Sequence, residues 1–142
     1  MSTTEARFAD PRTRDALLEA ERARDRVYAP YSGFRTGAAV VTDRDAVVPG
    51  TLIENVSQGL AMCAERVALF AARSIAAGRP EILALVAPRT GRALTFPCGA
   101  CLQVALELGG PNLRIVVADP QGAVAEAVLT ELAPRLPFKG VG

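Results

Sequence analysis

The sequence predicts a three-layer α/β/α domain built on a mixed five-stranded sheet. Two observations lead there. The apolar pattern reads helix, strand, strand, helix, strand, helix, strand, strand, helix along the chain, and that alternation places helices on both faces of a sheet. Half of the residues are apolar, yet only 5% are aromatic and none is tryptophan, so the core is sizeable and made of Ala, Val and Leu. With 142 residues, the chain suits one domain over 1–142, with residues 1–11 as a polar lead-in.

The first helix is expected from Thr13 to Tyr28, capped by Thr13, with Ala16, Leu17, Ala20 and Val27 as its apolar stripe. Arg14, Glu19, Arg22 and Arg26 read as its solvated face. Pro30 and Gly33 break the chain into a turn. Two β-prone runs follow, Gly37–Thr42 and Val47–Ile53, with the polar turn Asp43–Asp45 between them, which is a hairpin pattern. Met62–Ala77 is the strongest helical pattern. Cys63, Val67, Phe70 and Ser74 share one face, with Ala64, Ala68, Ala71 and Ile75 beside them, and Gly78 and Pro80 end the helix. Ile82–Ala87 is wholly apolar and of strand length, the pattern of a strand buried on both faces. A helix over Cys98–Leu108 stops at Gly109 and Gly110. Arg114–Ala118 and Ala123–Ala127 read as strands, the second at an edge, and Leu129–Ala133 as a last helical turn.

Charge and apolar patterning exclude several function classes. Sixteen basic and fifteen acidic residues leave a net charge of +1, too little for a basic nucleic-acid surface. Editing of an RNA or DNA strand also needs aromatic stacking platforms along a basic channel, and the aromatic content is low. No apolar run is long enough to span a membrane, and residues 1–10 lack the apolar stretch of a signal peptide. Three cysteines are an odd number for a disulfide framework, so a reducing, cytoplasmic setting is expected.

The chemistry-bearing residues gather at two expected helix starts, Cys63-Ala64-Glu65-Arg66 and Pro97-Cys98-Gly99-Ala100-Cys101. Cys98 and Cys101, three apart on a helix, face the same way. Pro97 suits a first turn because it needs no N–H donor there. Helix N-termini carry partial positive charge and favour thiolate. A closed structural zinc site takes four Cys or His ligands; this chain has three cysteines and no histidine. Three thiolates on one Zn²⁺ leave the fourth position to water, which is the pattern of a catalytic site. Glu65, two residues after the first ligand, is placed to shuttle protons. Three thiolates also overcompensate the ion, and the two helix dipoles together with Arg66 supply the balancing charge. Singly, each residue has a plainer reading: a buried small apolar cysteine, a solvated helix glutamate, a surface arginine. The joint pattern of Cys-x-Glu and then Pro-Cys-x-x-Cys is the signature of zinc nucleobase deaminases.

These residues resemble the small homotetrameric zinc-dependent cytidine deaminases. The resemblance covers roughly residues 13–138 and includes Tyr28–Ala39, Glu54-Asn55-Val56-Ser57, Gly59-Leu60, Gln103-Val104, Glu131–Pro134 and Phe138. It implies a cytidine deaminase-like fold, Zn²⁺ as cofactor, and a nucleoside as substrate. Cys63, Cys98 and Cys101 would be the metal ligands and Glu65 the catalytic proton carrier. By the same resemblance Phe34 lines the base pocket, Glu54 bonds the ribose, and Phe138 packs over the base in a neighbouring subunit's site within a homotetramer.

The sequence departs from the family pattern at three positions. Leu52 stands where the family has an asparagine near the sugar, Gln58 where it has a tyrosine near subunit contacts, and Leu102 where it often has an arginine. A sugar hydroxyl set against Leu52 lacks a partner, at a cost of about 1–3 kcal/mol. The resemblance implies deamination of cytidine or deoxycytidine, and Leu52 implies that ordinary cytidine binds less well here than in the family at large. The alternative substrate is a cytosine-nucleoside analogue of the blasticidin-S kind, which would suit Leu52. A non-catalytic zinc-stabilised binding protein is the alternative of another class, and Glu65 argues against it.

Overall fold

The computed structural model describes residues 10–140; residues 1–9 of the polar lead-in lie outside the described residues. The elements are α1 (Pro11–Ala23), β1 (Gly37–Thr42), β2 (Val47–Thr51), α2 (Ala64–Ser74), β3 (Pro80–Val86), α3 (Gly99–Gly109), β4 (Arg114–Ala118), β5 (Val124–Val128) and α4 (Leu129–Leu132). Short 3₁₀ turns occupy Arg24–Arg26 and Gln58–Leu60. The five strands form one sheet in the order β2-β1-β3-β4-β5, in which only the β3–β4 pair is parallel. The expected mixed sheet is therefore present, with β5 at one edge and β2 at the other.

Period-two alternation sorts the strand residues into two cores. On one face Ala39 and Val41, then Ile82, Ala84 and Val86, then Val116 and Ala118, pack against Ala16, Leu17 and Ala20 of α1. On the other, Ala38, Val40, Leu83, Leu85, Ile115 and Val117 meet Ala64, Ala68 and Leu69 of α2 and Leu102, Ala105 and Leu106 of α3. Alanines at the helix contacts let the layers approach closely. At Gly37 an added methyl group would overlap the Ala20 carbonyl oxygen and lie 2.8 Å from the Arg24 amide nitrogen.

The structure corrects several boundaries. Helix α1 begins at Pro11, not Thr13. Asp10 is its cap, accepting from the Arg12 N–H at 3.1 Å and from the Thr13 hydroxyl at 2.8 Å. Thr13 is instead fully buried inside the first turn. The helix does not reach Tyr28, because the Tyr28 N–H is taken by the Leu52 carbonyl at 3.0 Å, which draws the chain out beside β2. The β2 ladder ends at Thr51, and Ile53 bridges separately to Tyr28 and Met62. Helix α2 is shorter at both ends than the expected Met62–Ala77, since Cys63 is extended and Ala76 is left-handed at φ 53°. Its buried stripe is Ala64, Glu65, Ala68, Leu69 and Ala72, whereas Phe70 and Ser74 of the expected Cys63 face are exposed. Pro97 precedes the α3 cap and does not sit within the first turn.

The loop from β3 to α3 is held from below by Asp119, which is 4% exposed. Its Oδ1 accepts from the Gln121 and Ala123 N–H groups, each at 3.0 Å, and its Oδ2 from Arg89 Nε at 2.8 Å. Arg89 also donates to the Arg92 carbonyl at 2.7 Å. Burial pushes the Asp119 carboxyl up, but the Ala123 N–H and Arg89 outweigh it and leave the group below its usual range. A depressed folded-state pKa adds stability above the unfolded value of about 3.9, and that stability is lost as pH falls through the folded value. Asp119→Ala is expected to lower the unfolding free energy by about 2–3 kcal/mol at neutral pH. In urea titrations its deficit should shrink as the pH is taken below that of an ordinary aspartate; an equal deficit at neutral and strongly acidic pH would contradict the assignment.

Candidate metal centre

Two helix N-termini converge on the same end of the second core. Cys63 is the cap residue of α2 and Cys98 that of α3, and neither sulfur is used in a side-chain capping bond. Both are extended at the cap, so each sulfur stands at the positive end of its helix. Cys101 is one turn into α3 and fully buried. The Met62 N–H bonds the Ile53 carbonyl at 2.9 Å and the Ile53 N–H bonds the Met62 carbonyl at 3.0 Å. This bridge anchors the approach to Cys63 on the extension of β2.

The Sγ atoms of Cys63, Cys98 and Cys101 all lie within 4.8 Å of one another, and those of Cys98 and Cys101 are 3.5 Å apart. Among the described residues this is the one cluster of three metal-ligating side chains. Zinc–sulfur bonds of about 2.3 Å at a tetrahedral ion put sulfurs roughly 3.8 Å apart, so the cluster fits the ion. Among the described residues no fourth such side chain joins the cluster, so these three sulfurs would hold the ion. The surface around the sulfurs is graded, with Cys101 buried, Cys63 half-buried and Cys98 exposed.

The electrostatics favour a thiolate at Cys63. The Cys101 thiol donates to it and Arg66 adds its charge, which together bring Cys63 down to about 5 despite partial burial. The neighbouring Cys63 sulfur and its own burial push the Cys101 thiol up. Arg66 Nη2 donates to Cys63 Sγ at 3.2 Å, and Arg66 Nε is buried without a partner. Zinc uptake by such a site releases thiol protons. Glu65, in the first turn of α2, is 5% exposed. Burial is the main cause that raises its carboxyl to about 7, and the neighbouring Cys63 adds to it. A carboxyl poised there both takes and gives a proton at neutral pH.

The structure thus brings together Cys63, Cys98, Cys101, Glu65 and Arg66. The other expected site residues lie further out. Phe34 is half-buried against the second core. Leu52 is half-buried, and its backbone is bonded on one side to Tyr28 and on the other to Thr36. The Glu54 carboxylate accepts from the Tyr31 N–H at 3.0 Å, the Ser32 N–H at 3.2 Å and the Ser32 hydroxyl at 2.5 Å. The Ser32 hydroxyl bond is the main cause holding its pKa below the usual range. Glu54 therefore ties down the Tyr31–Ser32 turn. Phe138 lines a groove of about 630 Å³ with Ala72, Arg73, Glu107 and Leu108, at the C-terminal ends of α2 and α3. The preceding Pro137 carbonyl accepts from Gln103 Nε2 of α3 at 2.8 Å. Gln58 is exposed on its 3₁₀ turn, and Leu102 is buried in the core at 6% exposure. Arg89 and Asp119, which steady the approach to Cys98, escaped the sequence reading, since nothing local marks an arginine and an aspartate 30 residues apart as partners.

The model of the cytidine and deoxycytidylate deaminase zinc-binding region matches residues 11–118. A cytidine deaminase of Halalkalibacterium halodurans is 40% identical over 118 residues, covering 83% of this chain and 88% of that protein. The crystal structure of cytidine deaminase from Burkholderia pseudomallei superposes with a TM-score of 0.77 at 42% identity, over 84% of this chain and 94% of the other. That of cytidine deaminase from Mycobacterium tuberculosis gives 0.70 at 37% identity, over 84% and 92%.

Proposed function

The chain belongs to the cytidine deaminase family and catalyses zinc-dependent hydrolytic deamination of cytidine; we propose that Cys63, Cys98 and Cys101 hold the zinc and that Glu65 carries the protons. The observation behind this reading is the convergence of three sulfurs beside one buried carboxyl at two helix N-termini. Zinc bound there supplies the Lewis acidity that makes a water molecule reactive near neutral pH. Glu65 accepts the proton that this water loses as its oxygen bonds to C4 and delivers it to N3 of the cytosine ring; it then takes the second proton from the new C4 hydroxyl, as the carbonyl forms, and gives it to the amino group, whose bond to C4 breaks. Cytidine and water become uridine and ammonia, and the carboxyl ends in its starting state. Arg66 keeps the Cys63 sulfur anionic and offsets part of the thiolate charge.

Phe34 would line the base pocket and Glu54 would meet the ribose, with the Tyr31–Ser32 turn already ordered around it. By the resemblance, Phe138 would pack over the base in a neighbouring subunit's site within a homotetramer with shared sites; its partial exposure leaves it available for that contact. Val56 and Leu60, 81% and 70% exposed on the segment leading to Cys63, are apolar surface of the kind that assembly covers. The whole chain would act as one domain in the cytoplasm. No helix among the described residues is long and apolar enough to cross a membrane, and the net charge of +1 suits a free nucleoside better than a nucleic-acid strand.

Leu52 favours one second reading, a cytosine nucleoside with an altered sugar, as in blasticidin S. Ammonia release from cytidine, deoxycytidine, cytosine and blasticidin S, assayed side by side, tests the function; no release from any of them by zinc-loaded protein would refute it. Leu52→Asn is expected to raise kcat/KM for cytidine about 5- to 100-fold, equivalent to the hydrogen bond it restores. Unchanged cytidine kcat/KM in this variant would remove Leu52 from the sugar site.

A further inference from the structure

The metal-bearing helix α2 rests on β2, and at one point the two backbones meet with no side chain between them. Gly50 is buried in β2, paired with Ala38 of β1. A methyl group built on it would overlap the Ala64 carbonyl oxygen and the Ala68 amide nitrogen, and would lie 2.9 Å from Ala68 Cβ. Relaxed carbon contacts need about 3.5–4.0 Å. Two of the three obstructing atoms belong to the helix backbone, so no rotamer change relieves the overlap, and strand and helix must separate. Ala64 directly follows Cys63, and Ala68 lies one turn further on. Cys98 and Cys101 arrive on α3, which packs on the sheet through Leu102, Ala105 and Leu106. A shift of α2 therefore moves Cys63 and Glu65 relative to the other two sulfurs.

We propose that Gly50 is a positioning residue for the metal centre: by letting the β2 backbone touch the first turns of α2, it sets the depth at which Cys63 and Glu65 meet Cys98 and Cys101. The inference rests on those three cysteines being the zinc ligands. Gly37 provides an internal control. An added methyl group there also overlaps backbone, at Ala20 and Arg24, but on the opposite face of the sheet against α1. Gly37→Ala and Gly50→Ala strain the fold in the same way, and only Gly50→Ala strains it at the metal helix.

The test is zinc release from the loaded protein into a chromogenic chelator, together with the sulfur-to-metal charge-transfer band of the cobalt-substituted protein. Both variants should melt below the unaltered chain. Gly50→Ala should lose zinc about 10- to 100-fold faster, the scale seen when the support of a metal ligand is removed, and its cobalt band should weaken. Gly37→Ala should match the unaltered chain in both readouts. Unaltered zinc retention in Gly50→Ala, or equally fast release from Gly37→Ala, overturns the proposal. Should Gly50→Ala yield no folded chain, Ala68→Ser decides, because it adds one oxygen to the same contact from the helix side. It should release zinc faster than Gly37→Ala, and retention equal to the unaltered chain overturns the proposal. An unaltered chain that binds no zinc would instead sink the ligand assignment.

Discussion

Glu65→Gln should lower kcat for cytidine about 10²- to 10⁴-fold, the range that a positioned proton carrier contributes, while the chain keeps its zinc. The substitution preserves shape, so helix packing around the 5% exposed side chain is retained. A neutral amide is also less costly to bury than a carboxylate, so the melting temperature should be no lower than that of the unaltered chain. The amide cannot take the proton from water or return it to the leaving amine. Cytidine binding needs no proton transfer, so KM should move far less than kcat. Steady-state kinetics with zinc content measured on the same sample decide the matter. A variant with full zinc and more than a tenth of the original kcat would show that another group moves the proton.

Cys101→Ala should abolish both stoichiometric zinc and activity. Cys101 is fully buried and its sulfur lies within 4.8 Å of both others, so its loss leaves two thiolates, one of them on the exposed Cys98. Removing even an outer-shell partner of a metal ligand costs about 10- to 100-fold in affinity, and removing a ligand itself should cost more. Alanine is small and apolar and fits the buried position, so the chain should still fold. The thermal stabilisation that zinc gives the unaltered chain should disappear, because a bound ion stabilises the fold only while it is held. Zinc retained one per chain against a chelator in this variant would remove Cys101 from the ligand set.

Much of the site was legible because its chemistry is local. Cys63 and Glu65 are two apart, Cys98 and Cys101 three apart, and both motifs fall where helical periodicity begins. Arg66 follows Glu65 and reaches Cys63 within one turn of helix. The strands Gly37–Thr42 and Arg114–Ala118 stand where their apolar runs place them. Helix ends were less legible. Thr13 and Asp10 are both good caps, and the choice fell to Asp10, which Arg114 also engages from 104 residues away. On α2, a face carrying Val67 and Phe70 looks more apolar than one carrying Glu65. Yet the alanine side is buried, because only small residues allow the close approach that Gly50 permits.

By itself the sequence determined the order of helices and strands, the three sulfurs and the single acid beside them, since these depend on residue type and on spacing within a turn or two. Tertiary packing alone decided the strand order β2-β1-β3-β4-β5, the burial of Glu65, the tethering of Glu54 to Ser32 and the place of Phe138 by the C-terminal ends of α2 and α3. Cys63 and Cys98 are 35 positions apart in the chain, and nothing in either neighbourhood encodes their distance. That distance is set by how deeply two helices settle on one sheet, a property of the assembled layers.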